Sequence, residues 1–323
     1  MNVKKTSIER IQNRGSKKIA EDLRANRYSI LESLGCHKMR KEMRLVGIAC
    51  RTILWIGERR ARWRSGDFGK NLRDQIAGVL NWGAPSKVRG FFPRIQKGIV
   101  FGFNHPTLGE IIRLIAVCLM EYPNRKYLFP VNLAWYEELA PVADRMEVFG
   151  LYIVPTITPA TREKMSKILD EEKMKTVDRL ARDFNFDYLS ACSEFIANNQ
   201  IVMIAPSATR KATVFDSFPQ YQGYEKIDPA TMSLIAMSLE RSKQLENCVF
   251  VPIAIIPPRK YNRRLNLFKT YTISPCALIP AETIKHYIKT KDRTTHQRKF
   301  EHYFLVMLSE ELMENSAEYL VYP

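Results

Sequence analysis

A histidine and a carboxylate five positions apart are the residues of this chain whose types and spacing suit acid–base chemistry. They are His105 and Glu110, in the stretch Asn104-His105-Pro106-Thr107-Leu108-Gly109-Glu110. A carboxylate that reaches an imidazole can hold its tautomer and stabilise the imidazolium, so that the other ring nitrogen takes a proton from a hydroxyl. Such a pair is more often structural than catalytic, so the surrounding pattern has to decide between the two interpretations.

The elements around this pair are predicted to be a strand and a helix. The apolar run Ile99-Val100-Phe101-Gly102-Phe103 indicates a buried strand, and Pro106 and Gly109 suit the turn that follows it. The apolar residues of 111–117 then indicate the inward side of a helix. His105 is thus expected where a strand stops and a helix begins, which is where open α/β sheets build their sites.

A second loop of interest follows the short buried strand predicted at 201–204. It reads Ala205-Pro206-Ser207-Ala208-Thr209-Arg210-Lys211, with small residues and two cations. Arginine offers a planar fork that can hold a phosphate at two oxygens. The alternative interpretation is a polar turn whose cations face water.

The remaining pattern alternates strands with helices, which is typical of a mostly parallel central sheet flanked by helices on both faces. We expect a basic helical region over 1–90 and one α/β domain over 91–323, with the loop at 82–86 as their boundary. Further strands are predicted at 127–131, 151–154, 249–255 and, at the edge of the sheet, 268–273. Helices are predicted at 135–147, 161–174, 176–198, 230–242, 281–291 and 294–316.

The positive charge of the chain is concentrated in its N-terminal third. The net charge is +16, and residues 1–100 hold 23 Lys/Arg against 8 Asp/Glu, a net charge of +15. Such asymmetry indicates an acidic partner, which could be an anionic membrane, a nucleic acid or an acidic carrier protein.

The segment 42–64 combines an apolar run with Trp55, Trp63 and a cluster of arginines. Two interpretations stay open for it. One is a helix that lies in a membrane interface, and the other is a helix that packs on a core and has a solvated basic end.

Other features favour a cytoplasmic protein. The chain contains no run of about 18 uncharged apolar residues, and its first residues lack the apolar stretch of a secretory signal. The cysteines are scattered, without a C-x-x-C pair or a histidine at metal-ligand spacing, so no metal site is expected. They are Cys36, Cys50, Cys118, Cys192, Cys248 and Cys276.

Taken together, these stretches resemble the glycerolipid acyltransferase superfamily, which includes glycerol-3-phosphate and lysophospholipid acyltransferases. Its N-H-x-x-x-x-D motif is similar to Asn104-His105…Glu110, with Glu in place of Asp. Its F-P-E-G-T-R block resembles the stretch 205–210, which keeps Pro206, Thr209 and Arg210. Its V-P-[IV]-x-[IV] strand resembles the stretch 251–255. The resemblance covers about 95–275.

The second block of the family, G-x-x-F-I-x-R, matches less well. Gly150-Leu151-Tyr152-Ile153-Val154 keeps the glycine and the strand but lacks the arginine, and the nearest arginines are Arg145 and Arg162. Two further departures are Ser207 and Ala208, which stand where the family has glutamate and glycine.

The resemblance implies an acyltransferase of phospholipid biosynthesis in which His105 is the general base and Glu110 orients it. Arg210 would hold the acceptor phosphate, with Lys211, Thr209, Ser207 and Asn104 near the substrate. The co-substrate would be acyl-CoA or acyl carrier protein, no cofactor is implied, and no nucleic acid is expected. The acceptor would be a glycerophosphate or lysolipid.

The same resemblance favours the interfacial interpretation of 42–64 and a peripheral location on the inner face of an anionic membrane. Two alternatives remain. One is a catalytically silent relative that binds lipid or carrier protein. The other, less favoured because no DNA or RNA module signature occurs, is a nucleic-acid-binding protein.

Overall fold

The computed structural model of the chain describes residues 30–103, 110–205, 231–256, 268–288 and 307. For residues 40–43, 45, 46, 110, 160 and 231 it describes the backbone alone. The architecture is α/β with a mostly parallel sheet flanked by helices, which confirms the predicted fold class.

The described residues form seven strands, and the apolar runs of the sequence account for the most buried of them. All residues of β2, β5 and β6 are buried. Strands buried on both faces are continuous apolar runs, which is why these were predictable. The strands are β1 (Ser86–Val88), β2 (Gly98–Phe103), β3 (Tyr127–Asn132), β4 (Leu151–Thr156), β5 (Ile201–Ile204), β6 (Cys248–Ile256) and β7 (Tyr271–Pro275).

The helices of the described residues lie before, between and after these strands. Residues 30–83 are largely helical, as predicted for the basic N-terminal region, and residues 1–29 lie outside the described ones. The helices are α1 (Ile30–Ser33), α2 (His37–Arg62), α3 (Phe68–Gly83), α4 (Glu110–Glu121), α5 (Leu133–Leu139), α6 (Ala143–Val148), α7 (Pro159–Ser166), α8 (Glu171–Ala197), α9 (Thr231–Arg241) and α10 (Ala281–Ile288).

The strand order in the sheet is β1-β7-β6-β2-β5-β3-β4. Parallel pairing joins β1 to β7, β2 to β5, β2 to β6 and β3 to β4, whereas β6 and β7 are antiparallel. Neighbouring parallel strands need crossover connections, and the helices between the strands supply them.

The chain divides into two compact units. One comprises residues up to 72 together with 126–195, and the other comprises 73–125 together with 196 onward. The predicted division of the sequence near residue 90 remains a prediction.

In the first unit, α2 packs against α5 through one face. A side-chain carbon at Gly47 would meet Cβ of Glu138 at 3.0 Å and its carbonyl oxygen at 3.1 Å, so glycine permits a close approach there. Nη1 of Arg51 donates to the same carbonyl at 3.3 Å. Leu54 and Ala61 continue the buried face toward the end of the helix.

In the second unit, β2 is paired on both sides and covered closely at its start. An added Cβ at Gly98 would lie 2.7 Å from Cδ1 and 2.9 Å from Cα of Ile196, the residue before the end of α8. Glycine at this position therefore lets the helix backbone approach the sheet.

The structure corrects the predicted edge strand. Residues 271–275 form β7, which lies between β1 and β6, and the edge is taken by β1. β1 has three residues and a partly exposed pattern, so the sequence carries little signal for it.

Two predicted helices have different limits from those expected. The helix predicted at 135–147 is divided by a 3-10 turn at Ala140–Val142, which contains Pro141 near its start. The break expected near 175 lies instead between α7 and α8, where the Asp170 carboxylate accepts from the Lys173 N–H at 2.9 Å and caps α8. Of the helix predicted at 294–316, all but residue 307 lies outside the described residues.

Within the ranges that the structure covers, no helix combines the length and the apolar character needed to cross a membrane.

Candidate functional site

The candidate site is built at one edge of the second unit's strands, where β2 ends between two parallel neighbours. Gly102 of β2 pairs with Ile204 of β5 on one side and with Pro252 of β6 on the other. Because all three strands run in the same direction, their carboxyl ends meet at one edge of the sheet.

The register brings the ends of β2 and β5 to the same level. Ile204, the last residue of β5, pairs with Gly102, the next-to-last residue of β2. Phe103, the last residue of β2, and Ala205, the residue after β5, therefore lie at the same level, at the separation of roughly 5 Å that holds between neighbouring strands. The motif at 104–110 begins directly after Phe103, and the loop at 205–211 begins at Ala205.

Most of the predicted site residues lie outside the described part of the chain. This applies to Asn104, His105, Ser207, Thr209, Arg210 and Lys211, so their roles stay predictions. Glu110 is described in its backbone and is the first residue of α4. The strand that precedes the motif and the helix that follows it are both present where the sequence predicts them.

Helix α4 presents an unexpected residue to the interior in its first turn. Arg113, three positions after Glu110, is completely buried, while Ile111 and Ile112 are only half-buried. The apolar residues around Arg113 predict the inward side of a helix, and this pattern does not single out the arginine. An arginine in an otherwise apolar stretch, one turn after a candidate carboxylate, was the signal that could have identified it.

Arg113 is held by the start of β7. Its Nη2 donates to the carbonyl oxygen of Lys269 at 2.9 Å, and its guanidinium carbon lies 4.0 Å from the ring centroid of the buried Tyr271. Burial lowers the pKa of the Arg113 guanidinium, but an arginine remains charged at neutral pH. This is a hydrogen-bonded cation–π arrangement in the protein interior.

The start of β7 lies at the same edge of the sheet as the end of β2. Thr272 pairs with Ile256, the last residue of β6, because β7 runs antiparallel to β6. Arg113 is therefore positioned at the carboxyl ends of the central strands, together with the start of its own helix.

The two arginines nearest to the stretch 150–154, Arg145 and Arg162, are both ion-paired. Nε of Arg145 lies 3.5 Å from Oε1 of Glu58. Arg162, which follows the carboxyl end of β4, grips Asp178 with two hydrogen bonds of 2.6 and 3.0 Å. This pairing lowers the pKa of the Asp178 carboxyl.

The cysteines are free thiols, and burial suppresses the ionisation of several of them. It raises the pKa of Cys50 to about 11 and the pKa of both Cys192 and Cys248 to about 12. Thiols with such pKa values are protonated at neutral pH and are poor nucleophiles. They are thus unsuited to forming an acyl-enzyme.

The outward side of α2 forms a surface of a different kind, which we call the α2 outer face. It consists of residues at helical spacing that are exposed, namely Ile48, Thr52, Trp55, Arg59 and Arg62. The Arg59 guanidinium lies 4.8 Å from the Trp55 ring centroid. Among the exposed residues of α2 whose side chains are described, none is acidic.

These elements define an α/β protein in which the candidate acid–base motif follows the central strand of a mostly parallel sheet. No protein-family model matches the sequence, and no curated protein matches it either. Within the described ranges, no group of three or more histidine, cysteine, aspartate or glutamate side chains could hold a metal ion.

Proposed function

We propose that the chain is an acyltransferase that moves a fatty acyl group from an acyl thioester to a hydroxyl of glycerol 3-phosphate or a lysophospholipid-type acceptor. The donor would be acyl-CoA or acyl carrier protein. The observation that carries the proposal is the pairing of β2 with β5 and β6, all parallel. The motif at 104–110 and the loop at 205–211 therefore follow adjacent strand ends, although they are about 100 positions apart in sequence.

In the proposed reaction, His105 takes the proton of the acceptor hydroxyl while Glu110 orients the imidazole and stabilises its charge. The hydroxyl oxygen attacks the thioester carbonyl carbon, the new C–O bond forms, and the C–S bond breaks. The imidazolium returns its proton to the departing thiolate. General base catalysis of this kind contributes about 10²–10⁴-fold, so positioning of the acceptor must supply much of the rest.

The phosphate of the acceptor is assigned to the loop after β5. Arg210 would bind two phosphate oxygens, and Lys211, Thr209 and Ser207 would add donors. Asn104 precedes the base and would contact the substrate. Binding of the phosphate in this way would fix the position of the acceptor hydroxyl relative to His105.

An anionic membrane surface is the partner that suits the α2 outer face. Its exposed tryptophan and arginines are the residue types that stabilise a helix lying at a lipid headgroup layer. The acceptor and product are lipids or lipid precursors, so peripheral binding would keep the enzyme at its substrate. The opposite face of α2 packs on α5, whereas the side chains of the α2 outer face are exposed among the described residues.

The experiment is a screen of hydroxyl acceptors with a radiolabelled acyl thioester, run with purified full-length protein. Acyl-CoA and acyl carrier protein are supplied in turn, with glycerol 3-phosphate and lysophospholipids as acceptors. Product is measured by chromatography and the released thiol by a chromogenic reagent. His105→Ala should abolish both signals, and Arg210→Ala should mainly raise the KM for a phosphorylated acceptor.

A matched control is His286→Ala, since His286 is an exposed histidine near the end of α10. It should leave transfer unchanged. Thioester binding without thiol release in any combination would support the silent relative instead. Full transfer by His105→Ala would exclude the mechanism.

A further inference from the structure

The buried arginine of α4 is unusual because a cation in a protein interior is costly. Arg113 is completely buried and lies among apolar neighbours such as Leu114, Ala116 and Val117, which are also buried. Burying a charged group costs free energy unless hydrogen bonds or other partners compensate for it. Packing alone therefore gives little reason for an arginine here, and its contacts have to be considered.

The contacts of Arg113 join the first turn of α4 to residues 268–271 at the start of β7. Hydrogen bonds to the end of α3 and the residues after it hold these residues in place. The arginine binds the carbonyl of Lys269 and stacks on Tyr271. The N–H of Tyr271 donates to the carbonyl of Pro85 at 3.2 Å, and that of Phe268 donates to the carbonyl of Gly83 at 2.9 Å. Residues 268–271 are thus hydrogen-bonded to the end of α3 and to the residue pair that follows it.

The part of α4 that Arg113 fixes is the part that begins at the proposed catalytic carboxylate. One helical turn separates positions 110 and 113, so a constraint on Arg113 is a constraint on where α4 starts. Misplacement of a catalytic group by about 1 Å can cost on the order of 10²-fold in rate. The contacts that hold Arg113 in place, one turn away, would limit such misplacement of Glu110.

We infer that Arg113 is a positioning residue that fixes the first turn of α4 against the start of β7, and thereby fixes the backbone of Glu110, the carboxylate proposed to orient His105. The inference rests on the proposed function, because it assigns Arg113 to the same acid–base pair. Arg113 acts through Glu110 and is not itself expected to touch the substrate.

The test measures the pKa of His105 directly, by NMR titration of full-length protein with ¹³C-labelled histidine rings. The His105 signal is assigned by its loss in His105→Ala. Glu110→Gln should lower the pKa of His105 by about one unit or more, because a nearby carboxylate stabilises the imidazolium. Arg113→Met should lower it too, because the carboxylate is no longer held in place.

The sign of the shift separates positioning from a direct charge effect. Removal of a nearby cation would by itself raise the pKa of a histidine. In the Glu110→Gln background, Arg113→Met should therefore give no further decrease, since no carboxylate remains to be positioned. Arg113→Lys should recover part of the shift, because an ammonium can still donate to the carbonyl of Lys269 but cannot stack as a planar fork.

A kinetic readout complements the titration. Arg113→Met should lower kcat about tenfold or more while the KM for the thioester changes less than about twofold. Unfolding midpoints of all variants show whether they fold, and Arg113→Lys serves as the test variant if Arg113→Met does not.

The outcomes distinguish the inference from the proposed function. A raised or unchanged pKa of His105 in Arg113→Met, with a lowered one in Glu110→Gln, would overturn the inference alone. An unchanged pKa in Glu110→Gln would overturn the dyad, and the positioning role would fall with it. A lowered pKa in both single variants, without further decrease in the double variant, supports the inference.

Discussion

The segment 98–121 and the segment 37–83 use the same residue types in opposite ways. In the first segment, β2 is buried along its whole length and α4 places Arg113 in the interior. In the second, α2 turns Trp55, Arg59 and Ile48 toward solvent, with Trp55 54% exposed and Ile48 48% exposed.

The difference shows that burial, more than composition, decides what an arginine does here: Arg113 is buried on α4, whereas Arg59 is exposed on α2. A buried guanidinium must be matched by specific partners and is sensitive to small changes. An exposed one keeps its water, interacts weakly within the chain and is available to an external anion. We therefore expect substitutions in 98–121 to act on stability and geometry, and those on the α2 outer face to act on binding.

The largest effect is expected from truncation of the buried arginine. Arg113→Ala removes a large interior side chain, its hydrogen bond to Lys269 and its stacking on Tyr271. We expect the free energy of unfolding to fall by roughly 2–5 kcal/mol, as for other large-to-small interior changes. Urea denaturation followed by circular dichroism measures it. Arg59→Ala on the α2 outer face should cost less than about 1 kcal/mol, and equal losses in the two variants would contradict the contrast.

A smaller effect is expected from a single added methyl group at the start of β2. Gly98→Ala places a carbon 2.9 Å from Cα of Ile196, so strand or helix backbone must shift. Overpacking of this kind costs about 1–3 kcal/mol. In Gly78→Ala, the control in α3, the new carbon has no neighbour within 4 Å, and the helix should gain about 0.5–1 kcal/mol. A loss in Gly78→Ala, or none in Gly98→Ala, would refute the assignment of crowding to β2 and open space to α3.

The contrast between buried and exposed segments also explains which parts of the fold could be predicted from the sequence. β2, β5 and β6 are continuous apolar runs because they are buried on both faces, and the predicted and observed limits differ by at most one residue at each end. β1 could not be found because Ser86-Lys87-Val88 is short and partly exposed. The position of β7 between β1 and β6 depends on long-range pairing, which local patterns do not record.

The strand and the helix next to the candidate motif could be predicted from the sequence, whereas the strands and side chains that lie beside them could not. The sequence predicts a strand before Asn104 and a helix after Gly109, and both are present. That β5 and β6 flank β2 could not be derived from local periodicity, since strand order is set by tertiary contacts. The burial of Arg113 likewise depends on Lys269 and Tyr271, more than 150 positions away. The catalytic role of His105 remains a prediction.

The smallest effect per substitution is expected on the α2 outer face, and it concerns binding instead of stability. Arg59→Gln and Arg62→Gln should each weaken binding to vesicles that contain anionic lipid about fivefold, because one cation near such a surface contributes about 1 kcal/mol. Flotation of the full-length protein with anionic and neutral vesicles measures the partition, and raised salt should reduce it. Arg179→Gln and Arg241→Gln make the same charge change at exposed positions of α8 and α9 and should alter binding less than about twofold. Equal weakening by the two pairs would mean that only net charge matters. Equal binding of the unmodified protein to neutral and anionic vesicles would remove the electrostatic role of the α2 outer face altogether.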